Sequence, residues 1–318
     1  WVSRLHNIAD VYMHCVKMED NAMKHGLIAI ILVNYNGFDD TVACVQSILK
    51  SKYKEYKIIL VDNGSKDKEK IKRDEFLDAN TDIVISDENL GFSGGNNLGI
   101  NYAKEKYDPE YYLLLNNDTV IVENTLSELM AHSNLVEKTG LVTGKIYYYS
   151  KPEATWYAGG IFNFNTGIAD QPILGADESS TKNGCIEVTF ATGCVMLLHK
   201  NLIAQIGLLD EDYFLYAEDT DYCCRIMQAG YKLVYVPSAI IYHKVSASTG
   251  NQSRMQQYYM MRNNCYIIKK YCKYPAYGYA RKWYRVAREV LQGKSNLRVQ
   301  VRAWKDFNRG VTGKVEMI

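Results

Sequence analysis

Leu113-Leu114-Leu115-Asn116-Asn117-Asp118 sets an apolar run against an abrupt polar end. With Tyr111 and Tyr112 ahead of them, the leucines have the continuous apolar character of a strand buried on both faces of a parallel sheet. The Asn-Asn-Asp that follows cannot be core. In open α/β sheets, ligands bind just past the carboxyl ends of the strands. An aspartate delivered there by a rigid strand suits a divalent cation and a phosphate. Alone, Asn117-Asp118 reads as a plain turn; the segments around it change that reading.

Upstream, the same pattern recurs. Leu27 to Val33 is a β-branched run that stops at Asn34-Tyr35-Asn36-Gly37. Asp39 and Asp40 are N-cap candidates for a helix with apolar positions Val42, Val45, Ile48 and Leu49. Lys57 to Val61 ends in Asp62-Asn63-Gly64-Ser65, a charged helix is expected from 68 to 77, and Asp82 to Ser86 forms a third strand. Leu90-Gly91-Phe92-Ser93-Gly94-Gly95-Asn96-Asn97 reads as a glycine-rich loop opening onto a helix through Ile100 and Ala103. Alternating strand and helix predict an α/β fold whose sheet is mostly parallel, with right-handed crossovers. The polar strand ends then share one edge.

Downstream, a helix is expected from Glu123 to Glu137, then short strands and hairpins over 141–200. Val188 to Leu198 reads as a strand carrying Gly193 where another group comes close. The acids of Asp210 to Asp221 lead into a helix through Tyr222, Arg225, Ile226 and Ala229, closed by Gly230. A strand from Lys232 to Val236 meets Pro237, and Ile240-Ile241-Tyr242-His243 follows. The expected organisation is a lead-in over 1–25, an α/β domain over 26–250 and a basic, aromatic helical extension over 251–318.

The bulk numbers set limits. A chain of 318 residues, 47% hydrophobic and 23% charged, is ordinary for a globular protein with ample core. No apolar run reaches the roughly 18 residues that span a membrane. Eight cysteines without a CxxC pair predict reduced thiols and a cytoplasmic protein. His14, Cys15 and His25 lack the paired spacing of a metal site. The chain opens at Trp1 rather than Met, as a piece of a longer protein would. The net charge of +1 hides thirteen Lys and Arg between Arg262 and Gly310 against Glu289 and Asp306 alone.

Each polar cluster has a bland reading beside the functional one. The glycine-rich run could bring backbone N–H groups and a helix N-terminus to an anion, but it is neither GxGxxG nor a P-loop. Asp62 with Asn63-Gly64-Ser65 could accept a hydrogen bond from a pyrimidine N–H, or be a capped turn. Acids at the start of a helix also favour its dipole.

Together the segments resemble the family 2 glycosyltransferases of GT-A fold. The matching pieces are Val33-Asn34-Tyr35-Asn36, Val61 to Ser65, Asn89 to Asn97, Leu115-Asn116-Asn117-Asp118 and Glu218-Asp219-Thr220-Asp221, in the family's order over about 27–245. Within the family, the Asn-Asn-Asp form, Tyr258-Tyr259 through Arg262-Asn263 and the segment from Asp306 to Gly313 resemble a rhamnosyltransferase-type branch.

The resemblance implies a thymidine- or uridine-diphosphate sugar as donor and an inverting transfer. It implies that Asp62 reads the nucleobase with Asn63 beside it, that Asn34 and Asn36 line the nucleoside pocket, and that Gly94 and Asn96 lie near ribose and diphosphate. Asn116 takes the first position of the family's Asp-x-Asp motif, Asn117 the second and Asp118 the metal-binding last. The asparagine at 116 leaves one carboxylate there for Mg²⁺ or Mn²⁺; a histidine after a strand can be structural, but the resemblance implies that His243 completes the metal shell or contacts the diphosphate. One positioned carboxylate suffices as general base; Asp219 is the expected base, Glu218 its neighbour orienting the acceptor, and Asp221 a support of the helix.

A saccharide or a lipid-diphosphate carrier is the expected acceptor. The processive synthases' Gln-x-x-Arg-Trp motif is absent, so one sugar is expected per encounter. The basic extension reads as a solvated face or as a surface for anionic membrane over 262–310, with Trp283, Tyr284 and Trp304 at the headgroups. That second reading implies a peripheral location at the inner face of the plasma membrane. No readout motif points to nucleic acid. The rival readings are a galactosyl or galactofuranosyl transferase using a uridine donor, a nucleotidyltransferase, and a binding protein without turnover.

Overall fold

The computed structural model describes residues 26–67, 70–71, 80–133, 137–170, 185–245 and 253–316. The expected lead-in and most of the expected helix over 68–77 lie outside these residues. The first half contains β1 (Ile28–Asn34), α1 (Phe38–Leu49), β2 (Tyr56–Asn63), β3 (Thr81–Ser86), α2 (Gly91–Tyr107) and β4 (Tyr111–Asn116). There follow β5 (Thr119–Ile121), α3 (Thr125–His132), β6 (Thr139–Tyr148), β7 (Lys151–Tyr157), β8 (Ile161–Asn163), β9 (Ile168–Asp170) and β10 (Ile186–Val188). After β11 (Val195–His199) come α4 (Lys200–Ile206), α5 (Glu218–Gln228), β12 (Lys232–His243), α6 (Arg254–Tyr271), α7 (Pro275–Leu291) and α8 (Leu297–Asn308).

The main sheet runs β10-β12-β6-β11-β4-β1-β2-β3, with β5 added to β12 and β7 to β6. The β3-β2-β1-β4 part is parallel, as the alternating pattern predicts. The sheet as a whole is mixed, because β11 lies antiparallel to both β4 and β6. Ile28 to Leu32 and Ile58 to Val61 are fully buried, which explains their unbroken apolar character. Register then fixes the edge. Asn34 sits opposite Asp62, and Val33 opposite Asn116.

Three local expectations are corrected. The glycine-rich run is not a loop: Gly91 to Asn97 form the first turns of α2. Glycine is a poor helix former, but here it permits close packing. A Cβ at Gly95 would lie 2.7 Å from Val33 Cγ1, and one at Gly99 2.6 Å from Ile31 Cγ2. Val188 to Leu198 is not one strand; β10 ends at Val188 and β11 begins at Val195. Pro237 does not end its strand either, since β12 passes through it with a register shift between Val236 and Ile240.

The helical extension packs on the sheet domain. Tyr258, Tyr259, Met261 and Cys265 of α6 form a second apolar cluster with Val286, Ala303, Phe307 and Phe214. Trp283 and Trp304, expected at a headgroup surface, pack against this cluster with their rings 5.8 Å apart. The seven described cysteines are all buried.

Candidate active site

At the carboxyl end of β2, Asp62 is wholly buried. Its Oδ1 accepts from Asn34 Nδ2 at 3.1 Å, while its Oδ2 is buried with no hydrogen-bond partner. A buried carboxylate oxygen left unpaired is costly, so this atom has the chemistry to accept an N–H from a ligand. Asn34 underpins it. Its Nδ2 also donates to Ser65 Oγ, and its Oδ1 accepts from Gly37 N–H and Thr41 Oγ1. With every polar valence used and no exposure, Asn34 positions Asp62 and the turn after β1.

Asn36 is exposed, with left-handed backbone (φ 58°). Its N–H donates to Ser65 Oγ and its Oδ1 accepts from Lys66 N–H, which ties the turns after β1 and β2 together. Asn63 is buried; its Oδ1 accepts from Leu90 N–H and its Nδ2 donates to Gly91 O. Gly94 and Asn96 lie in the opening turns of α2, where Asn96 Nδ2 donates to Phe92 O. The first N–H groups of α2 are already taken: Gly91 donates to Asn89 Oδ1 and Phe92 to Phe214 O.

At the end of β4, Asn116 N–H donates to Cys194 O, and Asn117 Nδ2 donates to Thr41 Oγ1. Antiparallel pairing of Thr119 with His243 brings the next carboxylate to the end of β12. Asp118 Oδ1 lies 3.1 Å from His243 Nε2. His243 Nδ1 is buried without a hydrogen-bond partner, and the Trp156 ring stands edge-on at 4.6 Å. A carboxylate oxygen beside an imidazole nitrogen is a donor set that fits Mg²⁺ or Mn²⁺. Among the described residues no third His, Cys, Asp or Glu joins them. Lys244 is held by Asp40 at 2.9 Å.

The acids at the start of α5 reach the same edge through the turn before β11. Cys194 O holds Asn116, and the adjacent Gly193 N–H donates to Asp219 Oδ2 at 3.1 Å. Gly193 is tightly confined, as its sequence setting suggested: a Cβ there would lie 3.0 Å from the Phe92 ring and 3.5 Å from Asp219 Cβ. Asp219 Oδ1 accepts from Thr220 N–H and Oγ1. Glu218 is buried, with Oε2 unpartnered.

Burial, reinforced by the Asp219 charge, pushes the Glu218 carboxyl up to about 8. Burial raises Asp219 too, but the Gly193 and Thr220 donors oppose the rise. Both shifts run upward, and the donors to Asp219 make it the carboxyl of the pair whose rise is opposed by more hydrogen bonds.

Asp221 lies beneath, as a support. It is fully buried and takes Arg225 Nε at 2.8 Å, Lys270 Nζ at 2.7 Å and the Tyr271 hydroxyl at 2.6 Å.

Two residues without an individual role in the sequence reading matter here. Phe214, Tyr216 and Ala217, just before the acid pair, all have left-handed backbone (φ 55°, 67° and 72°). Such conformations cost non-glycine residues of order 1–3 kcal/mol each unless the surroundings hold them. Asn263 Nδ2 donates to the carbonyls of Tyr213, Leu215 and Tyr216. Arg262, also fully buried, donates to Gly313 O and Asp212 O, and Gly313 N–H donates to Asp212 O. The available signal was an arginine and an asparagine among apolar residues of α6. The groove between Gly26, Tyr107, Glu110 and Lys200 opens at the opposite, amino end of β1 and β4.

The model of the family described as "Glycosyl transferase family 2" matches residues 29–207. Rhamnosyltransferase WbbL of Escherichia coli K12 is 30% identical over 227 residues, 67% of this chain and 81% of that protein. The N-acetylglucosaminyl-diphospho-decaprenol L-rhamnosyltransferase of Mycobacterium tuberculosis is 41% identical over 63 residues, 20% of each chain. The crystal structure of GalNAc-T7 with UDP, GalNAc and Mn²⁺ superposes with a TM-score of 0.65 at 16% identity. It covers 89% of this chain and 54% of that one, so the chain spans about half that protein's length. The likeness establishes the GT-A fold.

Proposed function

The chain belongs to glycosyl transferase family 2 and is a glycosyltransferase, and from that premise we propose that it transfers one sugar per encounter, rhamnose by preference, with inversion. The donor in this reading is a thymidine- or uridine-diphosphate sugar. The acceptor is a saccharide or a lipid-diphosphate-linked sugar in surface polysaccharide synthesis, met at the cytoplasmic face of a membrane. The observation that carries the reading is one edge holding both an Asp118–His243 pair and a Glu218–Asp219 pair, joined through Gly193-Cys194. The named activities of the two relatives support rhamnose.

Each group has a task. Asp62 Oδ2 accepts the ring N–H of the pyrimidine, and Asn34 holds that carboxylate in place. Asp118 and His243 would hold a divalent cation, which would supply charge neutralisation for the leaving diphosphate. Asp219 takes the proton of the acceptor hydroxyl as its oxygen attacks the anomeric carbon, while the bond from that carbon to the diphosphate oxygen breaks on the opposite face. Glu218, kept neutral by burial, offers its O–H to orient the acceptor. The Gly193 N–H keeps Asp219 aimed and opposes the rise that burial imposes on its carboxyl.

A thermal-shift panel of nucleotides and nucleotide sugars, each with Mn²⁺, Mg²⁺ or chelator, tests the reading, because a specific ligand stabilises the folded state by mass action. A metal-dependent rise with thymidine or uridine diphosphates is expected, and the stronger of the two identifies the donor. No rise with any nucleotide would leave a binding protein without turnover.

A further inference from the structure

Between residues 275 and 298 the helical extension carries an unpartnered face whose chemistry is unlike that of a solvated helix. Tyr277, Tyr284 and Leu291 of α7 recur every seven residues, and at 3.6 residues per turn they fall in one line. They are 51%, 67% and 88% exposed, and Leu297, just past the turn into α8, is 51% exposed. Ala280 and Ala287 lie in the same stripe and are also exposed. The opposite side of α7 meets the protein interior through Val286 and Trp283, so α7 has an apolar stripe on each side.

Cations flank the outer stripe. Arg281, Arg288, Lys294 and Arg298 are exposed. Arg288 lies over the Tyr284 ring at 6.0 Å. Arg285 is paired with Glu289 at 2.9 Å, but among the described residues Arg288, Lys294 and Arg298 form no ion pair. Exposed tyrosine and leucine in line, edged by arginine and lysine, are what an interfacial helix presents to headgroups. Like charge along the stripe disfavours a second copy of this chain as the occupant.

We propose that the outer face of α7 and the α7–α8 turn dock on an anionic bilayer, with Tyr284, Leu291 and Leu297 at the headgroup boundary and Arg281, Arg288, Lys294 and Arg298 on lipid phosphates. The proposal rests on the reading of a membrane-borne acceptor and narrows its surface. Arg262 of α6 is fully buried and the Trp283–Trp304 pair is partly buried against the second apolar cluster, so the proposal uses the outer side of the extension.

Co-sedimentation of the whole chain with vesicles tests it, using phosphatidylcholine with and without phosphatidylglycerol, at low and high salt. Wild type is expected to bind only the anionic vesicles. Each basic residue near such a surface is worth roughly fivefold in partitioning, so Arg281→Glu with Arg288→Glu should weaken binding by at least ~20-fold. Tyr284→Ser with Leu291→Ser should remove whatever binding survives high salt. All these side chains are exposed, so melting temperature and the nucleotide-dependent thermal shift should not change. A lost nucleotide shift in wild type would fault the transferase reading rather than this face. Absence of binding to anionic vesicles, or charge-reversed protein binding like wild type, would overturn the proposal. So would light scattering that shows a dimer dissociated by Leu291→Ser.

Discussion

The Gly193 N–H donates to Asp219 Oδ2 across 3.1 Å, while the next residue's carbonyl accepts from Asn116 N–H. One turn therefore holds a carboxylate from α5 beside the end of β4. If Asp219 is the general base, Asp219→Asn should retain donor binding and lose ~10²–10⁴-fold in turnover. Initial rates with saturating donor, together with nucleotide titration, separate the two effects. Near-normal turnover would remove Asp219 from the role.

Glu218 gives the account a pH signature. Its carboxyl is raised to about 8, so the folded protein keeps this proton to a higher pH than the unfolded chain. That contribution to stability is fully present below the unfolded value, about 4.3, and is lost as pH rises through about 8. Wild-type melting temperature should therefore fall over this window. Glu218→Gln should flatten the fall, leaving the contribution of Asp219, which shifts in the same direction. Identical slopes would mean that Glu218 is not protonated in the fold.

Asp62 separates function from stability. Replacing its unpartnered Oδ2 by an amide, as in Asp62→Asn, removes a buried charge and can keep the bond from Asn34. The ligand-free protein should melt no lower than wild type. Affinity for uridine or thymidine diphosphate should drop by ~10–100-fold, the worth of a hydrogen bond to a charged group. Unchanged affinity would take Asp62 out of nucleobase recognition.

Asn263 and Arg262 lie outside the acid pair but hold the backbone that leads to it. Asn263→Ala should cost about 1–3 kcal/mol of stability through unpaired buried carbonyls. It should also lower kcat while leaving the KM for donor near wild type, because the proposed nucleotide-binding groups, Asp62 and Asn34, lie on β2 and β1. A parallel loss of donor affinity would mean that the loop supports the whole site.

Much of this was legible before any coordinates. The apolar runs at 27–33, 57–61 and 111–115 read as parallel strands because both faces are covered, and their polar ends mark the edge. Glycines misled at 91–97, since close helix packing and a phosphate loop both call for residues without a Cβ. The antiparallel β11 was hidden because a strand buried between β4 and β6 has the same apolar pattern in either direction. Asn34 and Asn63 are locally indistinguishable from ligand-binding amides. Only the bonds themselves, four on Asn34 and those of Asn63 to Leu90 and Gly91, show that they brace the turns. The bracing by Asn263 depends on contacts nearly fifty residues apart, which no local pattern encodes.

The most direct test of the central claim is calorimetric titration of thymidine and uridine diphosphates into wild type and Asp118→Ala, with Mn²⁺ and with chelator. Asp118 and His243 as the cation's protein ligands predict tight binding by wild type with Mn²⁺, weak binding with chelator, and weak binding by Asp118→Ala under both conditions. For either nucleotide, equal affinity across both proteins and both metal conditions would contradict the account.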